Sequence, residues 1–324
     1  MRPVALVLVL LAAVAAGLLY GQEAVSVAML WDGILTGEGP GALMIDTFRG
    51  PRVATAVGAG AVLGMSGALF QTLFRNPLAA PDVMGFTSGA GLAVVAATAF
   101  GLTLPMPLIA AVGGLLAGLL VALLAYRPGH STPPLTLILV GLGVAFFTSA
   151  LSTFLMTLLP YNEAAEAQRW LTGSLAARDW SHVAQVWILG TLLGAAALVQ
   201  ARRLEVLELG EDLAAGLGLK VEQARWGISA TGVLLAATGV AVAGPVPFVA
   251  LMSGPLGARI TCAKSGTGRM LSAAGAGAVV LVLSDLAARA ALPGIVLPAG
   301  VMTGILGAPY LLWRLSREME RGKL

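Results

Sequence analysis

Apolar runs recur along the chain at about 3 to 20, 53 to 73, 83 to 103, 106 to 126, 135 to 158, 183 to 200, 227 to 243, 247 to 262, 270 to 291 and 298 to 315. One helix needs about 20 such residues to cross a bilayer core of roughly 30 Å. Ten runs joined by short polar links predict an all-α, polytopic membrane protein of about ten transmembrane helices, forming a single transmembrane domain over residues 1–324. The eighth run is short and flanked by Gly and Pro, which fits a partial span. Residues 1 to 20 have the basic start and apolar stretch of a signal peptide. That run is also long enough to span, and we read it as a retained first helix.

Composition agrees with the runs: 58% of residues are hydrophobic and 11% charged, against about 25% charged in a soluble domain. The net charge of +3, from 19 Lys and Arg against 16 Asp and Glu, is spread through the links, so nucleic-acid binding has no support. A lone Cys262 and two distant histidines, His130 and His182, provide neither a disulfide framework nor a Cys/His metal site. The chain itself calls for no cofactor, and any metal must arrive inside a ligand.

An even number of spans puts both termini on one side, and charge selects the side. With cytoplasmic termini, Arg2, Arg75, Arg127, Arg202, Arg203, Lys220, Arg225, Arg259, Lys264, Arg269, Arg314, Arg317, Arg321 and Lys323 lie inside. Arg49, Arg52, Arg169, Arg178 and Arg289 lie outside, as the positive-inside rule expects.

Two segments do not span. Residues 161–180, YNEAAEAQRWLTGSLAARDW, read as a short outer interfacial helix with tryptophans at the membrane boundary. Residues 201–225 lie inside and carry Leu204, Leu207, Leu213 and Leu217 at helical spacing, broken by Gly210 and Gly216. Two short amphipathic helices that dock a partner protein fit this pattern. Within the spans, Gly58, Gly60, Gly64 and Gly67 allow close helix contact.

Mid-span ionisable groups are nearly missing, although a proton-coupled carrier or a membrane enzyme needs them. Asp285 and Arg289, four apart near the outer end of the ninth run, suit a helical ion pair. The stretch ARITCAKS, 258–265, has phosphate-loop spacing but places Ala258 and Ala263 where both glycines are required. With no ATP site and a cytoplasmic segment able to receive force, the pattern suggests a transport subunit driven by a separate ATPase.

The stretch from Arg49 to Gly91 then becomes specific. Arg49, Pro51 and Arg52 precede a Gly-rich helix, followed by Gln71, Arg75, Asn76, Pro77, Leu78, Ala79, Pro81 and Gly85. This pattern resembles the FecCD-type permeases, membrane subunits of ABC importers for ferric siderophores, haem and vitamin B12. Similarity continues through RWLTGSLAARDW, LELGEDLAAGLGL, AGPVPFVAL, DLAAR and LPAGVMTGILGAPYLLWRL.

The resemblance implies a type II importer permease fold in a bacterial inner membrane, with a second permease subunit, two ABC ATPases and a periplasmic binding protein as partners. It implies ATPase coupling near Leu207, Gly210, Glu211 and Gly218, and binding-protein docking at Arg49, Arg52 and Arg289. It also makes Thr148, Ser149 and Ser152 of the fifth span candidates for the pathway or its gate, although hydroxyls commonly bond back to their own helix. Asn76 is a candidate to cap a helix or bond exposed carbonyls. The chain departs from the family in lacking a Pro-His pair near Gly254, in keeping only Gly268 and Arg269 of the next cytoplasmic motif, and in having Val296 for a Glu. The expected function is translocation of an iron–siderophore complex. Haem and vitamin B12 are alternative cargoes, and an ion-coupled secondary transporter is the competing class.

Overall fold

A computed structural model of the chain describes residues 2–21, 25–126, 134–292 and 294–320. The expected inner-side residues Arg127, Arg321 and Lys323, and His130, lie outside these described residues. Among the described residues the chain is helical, with one isolated bridge between Leu292 and Ile295. Helix α1 spans Arg2–Leu19, α2 Val27–Thr36 and α3 Gly39–Leu43; a π-helical turn at Met44–Arg49 runs directly into α4, Gly50–Leu73. A 3-10 turn at Pro81–Met84 precedes α5, Phe86–Ala99, and then come α6, Met106–Ala125, and α7, Pro134–Met156. Next are α8, Tyr161–Leu171, α9, Trp180–Glu208, α10, Glu211–Gly216, and α11, Val221–Ala243. The chain closes with α12, Val249–Thr261, α13, Gly266–Ala290, and α14, Ala299–Glu320.

Among the described residues seven helical stretches are long and apolar enough to cross a membrane: α1, residues 39–73, α6, residues 139–156 of α7, α9, α11 and α13. The other three expected runs are helical in different ways. The third is the 14-residue α5. The eighth is the 13-residue α12, which contains Pro255 and ends at Cys262 in a left-handed conformation, the short element its Gly and Pro flanks predict. The tenth is α14, interrupted by Pro309 and charged at its end.

Helix α4 is the axis of the bundle. Over its most apolar stretch 83% of residues are buried, against 17% for α1 and α9, so the outer helices offer their side chains to lipid. A helix can be the core of a lipid-embedded bundle only if its neighbours come close, because lipid tails supply no hydrophobic drive and packing must hold the contact. The glycines of α4 meet that need. A β-carbon on Gly60 would collide with the Gly277 carbonyl of α13, one on Gly64 with the Ala273 carbonyl and one on Gly67 with the Ala250 carbonyl of α12. Gly58 faces Val186 of α9, whose methyl would lie 2.7 Å from such a carbon. Polar side chains add cross-links: Ser66 donates to the Gly232 carbonyl at 2.6 Å, and Gln71 to the Leu251 carbonyl at 2.9 Å.

Three local expectations change. The interfacial helix ends at Leu171; Trp180 instead opens α9, which Asp179 caps by accepting from the Ser181 and His182 amides. Residues 201–208 extend α9 rather than forming a separate helix, which leaves α10 as the one short helix of the expected docking segment. Ahead of α4, residues 27–49 fold into α2, α3 and the π-turn, elements the apolar-run pattern passes over. Helix α2 is capped by Ser26 at its start and by left-handed Gly37 at its end. It packs on α3 so closely that a β-carbon on Gly33 would clash with Gly41 and Ala42, while Val27, Trp31, Ile34 and Leu35 share one exposed face.

Candidate functional site

At the Gly50 end of α4, the arginines selected as docking residues turn inward. Arg52 forms a forked pair with Asp285 of α13, its Nε 3.0 Å from both carboxylate oxygens and its Nη2 2.8 Å from Oδ1. Arg289, one turn beyond Asp285, approaches the same carboxylate at 3.1 Å, so the expected helical ion pair forms with Arg52 as a third member. Asp285 is 1% exposed; a carboxylate so buried persists as an ion only when paired and hydrogen-bonded.

The clasp also closes the end of α1. The last carbonyls of a helix have no partner within it, and here arginines supply the donors. Arg49 donates to the Leu18 and Leu19 carbonyls at 2.8 and 2.9 Å. Arg289 donates to the Gly17 carbonyl at 3.0 Å and to that of Tyr20 at 3.3 Å. Positive charge at a helix C-terminus is favourable for the macrodipole as well.

Above the clasp lies a cavity of about 410 Å³, lined by Arg49, Arg52, Arg178 and Arg289 together with Phe48 and Val296. Arg178, within the stretch RWLTGSLAARDW but not among the expected docking residues, is held there by the Ser174 carbonyl at 3.1 Å and by His182 at 3.4 Å. Its signal in the sequence is its place among the few outer basic residues. Val296, where the resemblance leads us to expect a Glu, borders this arginine-rich space.

The opposite end of α4 is built differently. Left-handed backbone at Gly210 and Gly218, φ 121° and 83°, suits residues without a β-carbon and brackets α10 with a turn on either side. Leu204 and Leu207 are buried and anchor the end of α9, whereas Leu209, Leu213 and Leu217 are 58%, 62% and 67% exposed. Salt links hold the frame: Arg225 to Glu211 at 2.6 Å and Arg269 to Glu208 through two contacts of 2.6 and 2.7 Å. Arg269, one of the two residues expected to be kept from the family's pattern, has this local partner.

The signature stretch joins the two halves at this end. Arg75, with a left-handed φ of 48°, reaches across to the Leu207 carbonyl and so ties the end of α4 to α9. Asn76 caps no helix; its side-chain oxygen accepts from the Leu78 amide at 2.9 Å, a local turn that competes with helix continuation. Pro77 falls within the turn and Pro81 starts the 3-10 segment, which ends at left-handed Gly85.

On α7, Thr148 and Ser152 are buried and donate to the Val144 and Thr148 carbonyls, both at 2.8 Å. Ser149, next to Thr148 in the chain and three residues before Ser152, is exposed. Two of the three hydroxyl residues are therefore buried and bonded to their own helix, and the third is exposed.

Comparison with known proteins follows the same outline. Residues 7–317 match the FecCD transport family. The ferric enterobactin transport system permease protein FepG of Escherichia coli (strain K12) is 39% identical over 293 residues, covering 89% of this chain and 87% of FepG. The Fe(3+) dicitrate transport system permease protein FecD of the same organism is 37% identical over 275 residues, covering 83% and 84%. A solved structure described as an inward-facing conformation of a metal-chelate type ABC transporter superposes with a TM-score of 0.83 at 26% identity, covering 98% of this chain and 99% of that one. With its all-helical membrane architecture and a match spanning nearly its whole length, the chain belongs to the FecCD transport family.

Proposed function

We propose that the chain is the permease subunit of an ATP-binding-cassette importer that passes an iron–siderophore complex from periplasm to cytoplasm. The observation that carries the cargo class is the near full-length similarity to permeases named for ferric enterobactin and ferric dicitrate. Both cargoes are intact iron chelates. A conduit that must release its chelate should not ligate the iron; among the described residues no group of three or more His, Cys, Asp or Glu side chains could hold a metal.

In this reading the termini and α10 face the cytoplasm, consistent with the basic residues gathered on that side. A separate ATPase docks on Gly210, Glu211 and Gly218 and on the exposed Leu209, Leu213 and Leu217 in and beside α10, while the expected Leu207 is buried and anchors α9 behind that surface. The periplasmic binding protein docks over the arginine-lined cavity. Arg49, Arg52 and Arg289 set the positive field there, and Arg178 and the open mouth receive an acidic group. A second permease subunit packs against this one to complete the path. The exposed Ser149 borders that path, while the buried Thr148 and Ser152 bond back to carbonyls of α7.

The test is uptake of radioiron-loaded chelate into proteoliposomes holding the complete transporter. Uptake should require the ATPase, ATP and the binding protein together. Uptake by this chain without an ATPase, driven by an ion gradient, would reject the reading in favour of a secondary transporter.

A further inference from the structure

A second cavity, about 640 Å³ in volume, opens beside α10 between α4, α6 and α11. Its deepest walls include the fully buried rings of Phe70 and Phe86, while the half-exposed Leu115, Leu119 and Leu234 line its sides. Its described charged lining residues are Glu211 of α10 and Glu222 and Arg225 of α11. Arg225 donates to Glu211 at 2.6 Å, and Glu222, one turn earlier than Arg225 on α11, is exposed. Among the described residues lining this rim, two carboxylates against one guanidinium leave one net negative charge.

Both α6 and α11 are long and apolar enough to cross a membrane, and the cavity occupies the last turns of one and the first turns of the other. Its size falls within the roughly 300 to 1,000 Å³ of ligand sites, and the exposed leucines on its sides belong to these two apolar helices. Lipid tails are as apolar as leucine, so a chain gains little by leaving the bilayer for this space. The head group decides which lipid stays. An anionic head is repelled by the acidic rim, whereas a head with an ammonium beside its phosphate finds a carboxylate for one and a guanidinium for the other.

We propose that this cavity binds a phospholipid with a primary ammonium head group, of the phosphatidylethanolamine class. The ammonium lies between the Glu211 and Glu222 carboxylates, the phosphate against Arg225, and one acyl chain between α6 and α11. The proposal is independent of the cargo, and its rim shares Glu211 with the surface proposed for the ATPase.

Trp226 lines the same cavity and reports on its contents. The full chain is reconstituted in phosphatidylcholine vesicles containing a minor fraction of lipid brominated on its acyl chains. Quenching is read from the emission that Trp226→Phe removes. Brominated phosphatidylethanolamine is expected to quench this component about fivefold more effectively than brominated phosphatidylglycerol, the ratio contributed by about one surface charge. Glu222→Gln, at an exposed position, should erase the difference between head groups. Gly118→Phe should abolish head-group-specific quenching by filling the cavity, since a β-carbon at Gly118 would meet only Val233 methyls at 3.8 and 4.0 Å. Equal quenching by both lipids, a preference that survives Glu222→Gln, or quenching by neither lipid because protein fills the space, overturns the proposal.

Discussion

At its Gly50 end α4 meets three arginines folded onto one buried carboxylate and onto the carbonyls that finish α1. Toward its Leu73 end lie half-exposed ion pairs and the six-residue α10, where Leu213 and the flanking Leu209 and Leu217 are exposed. The first arrangement fixes geometry, because a buried charge network tolerates little displacement before a partner is left unsatisfied. The second leaves apolar surface available to a partner. An ATP-driven conduit needs both a rigid frame on one side and a surface that can be pushed on the other.

The sharpest way to break the comparison is Asp285→Ala, which leaves Arg52 and Arg289 buried around a void. It should cost about 3–5 kcal/mol, read as loss of folded protein on extraction and a large fall in melting temperature. Arg52→Met keeps the volume and leaves Asp285 paired with Arg289, so the expected loss is smaller, about 1–3 kcal/mol. If both variants melt like the parent, the clasp does not hold this end together.

At the α10 end the same manipulation should matter less. Glu208→Gln, in a pair whose side chains are 30% and 33% exposed, should cost no more than about 1 kcal/mol and progressively less as salt is added. The start of α9 sharpens the contrast through pH. Hydrogen bonds from Ser181 and His182 hold the Asp179 carboxylate well below its ordinary value of 3.8. Its capping contribution is therefore fully present above that value and is lost only as pH falls further, through the depressed folded-state value. Amide exchange at residues 181–183 should be insensitive to pH-linked cap loss near neutrality, and Asp179→Ala should accelerate it at every pH tested. An unchanged exchange pattern would remove Asp179 from the cap.

Much of the architecture was legible because lipid imposes a simple length rule on apolar runs, and because the Gly-rich α4 announces close packing. Residues 27–49 were not legible as helices: α2 is only ten residues long, too short for the spanning rule, and the π-turn into α4 leaves no apolar period. The Asp285–Arg289 spacing gave the local half of the clasp. Arg52 lies 233 positions away, beyond any pattern read along the chain. The same limit explains why three outer arginines read as surface charge although two of them are buried: a sequence gives the side of a membrane for a charge, but not the carbonyls and carboxylates that wait for it. Around Asn76 the turn residues were plain, while the partner of Arg75, the Leu207 carbonyl, depended on tertiary placement.

The most direct test of the division of labour is ATP-driven uptake of an iron-loaded siderophore by the complete transporter carrying Leu213→Ser and Leu217→Ser, with its melting temperature measured on the same preparation. Stability should change by no more than about 0.5 kcal/mol, as for other exposed positions, while uptake falls about tenfold, the effect of about 1.4 kcal/mol lost from a docking contact. Undiminished uptake with an unchanged melting temperature would contradict the claim that α10 receives the driving partner.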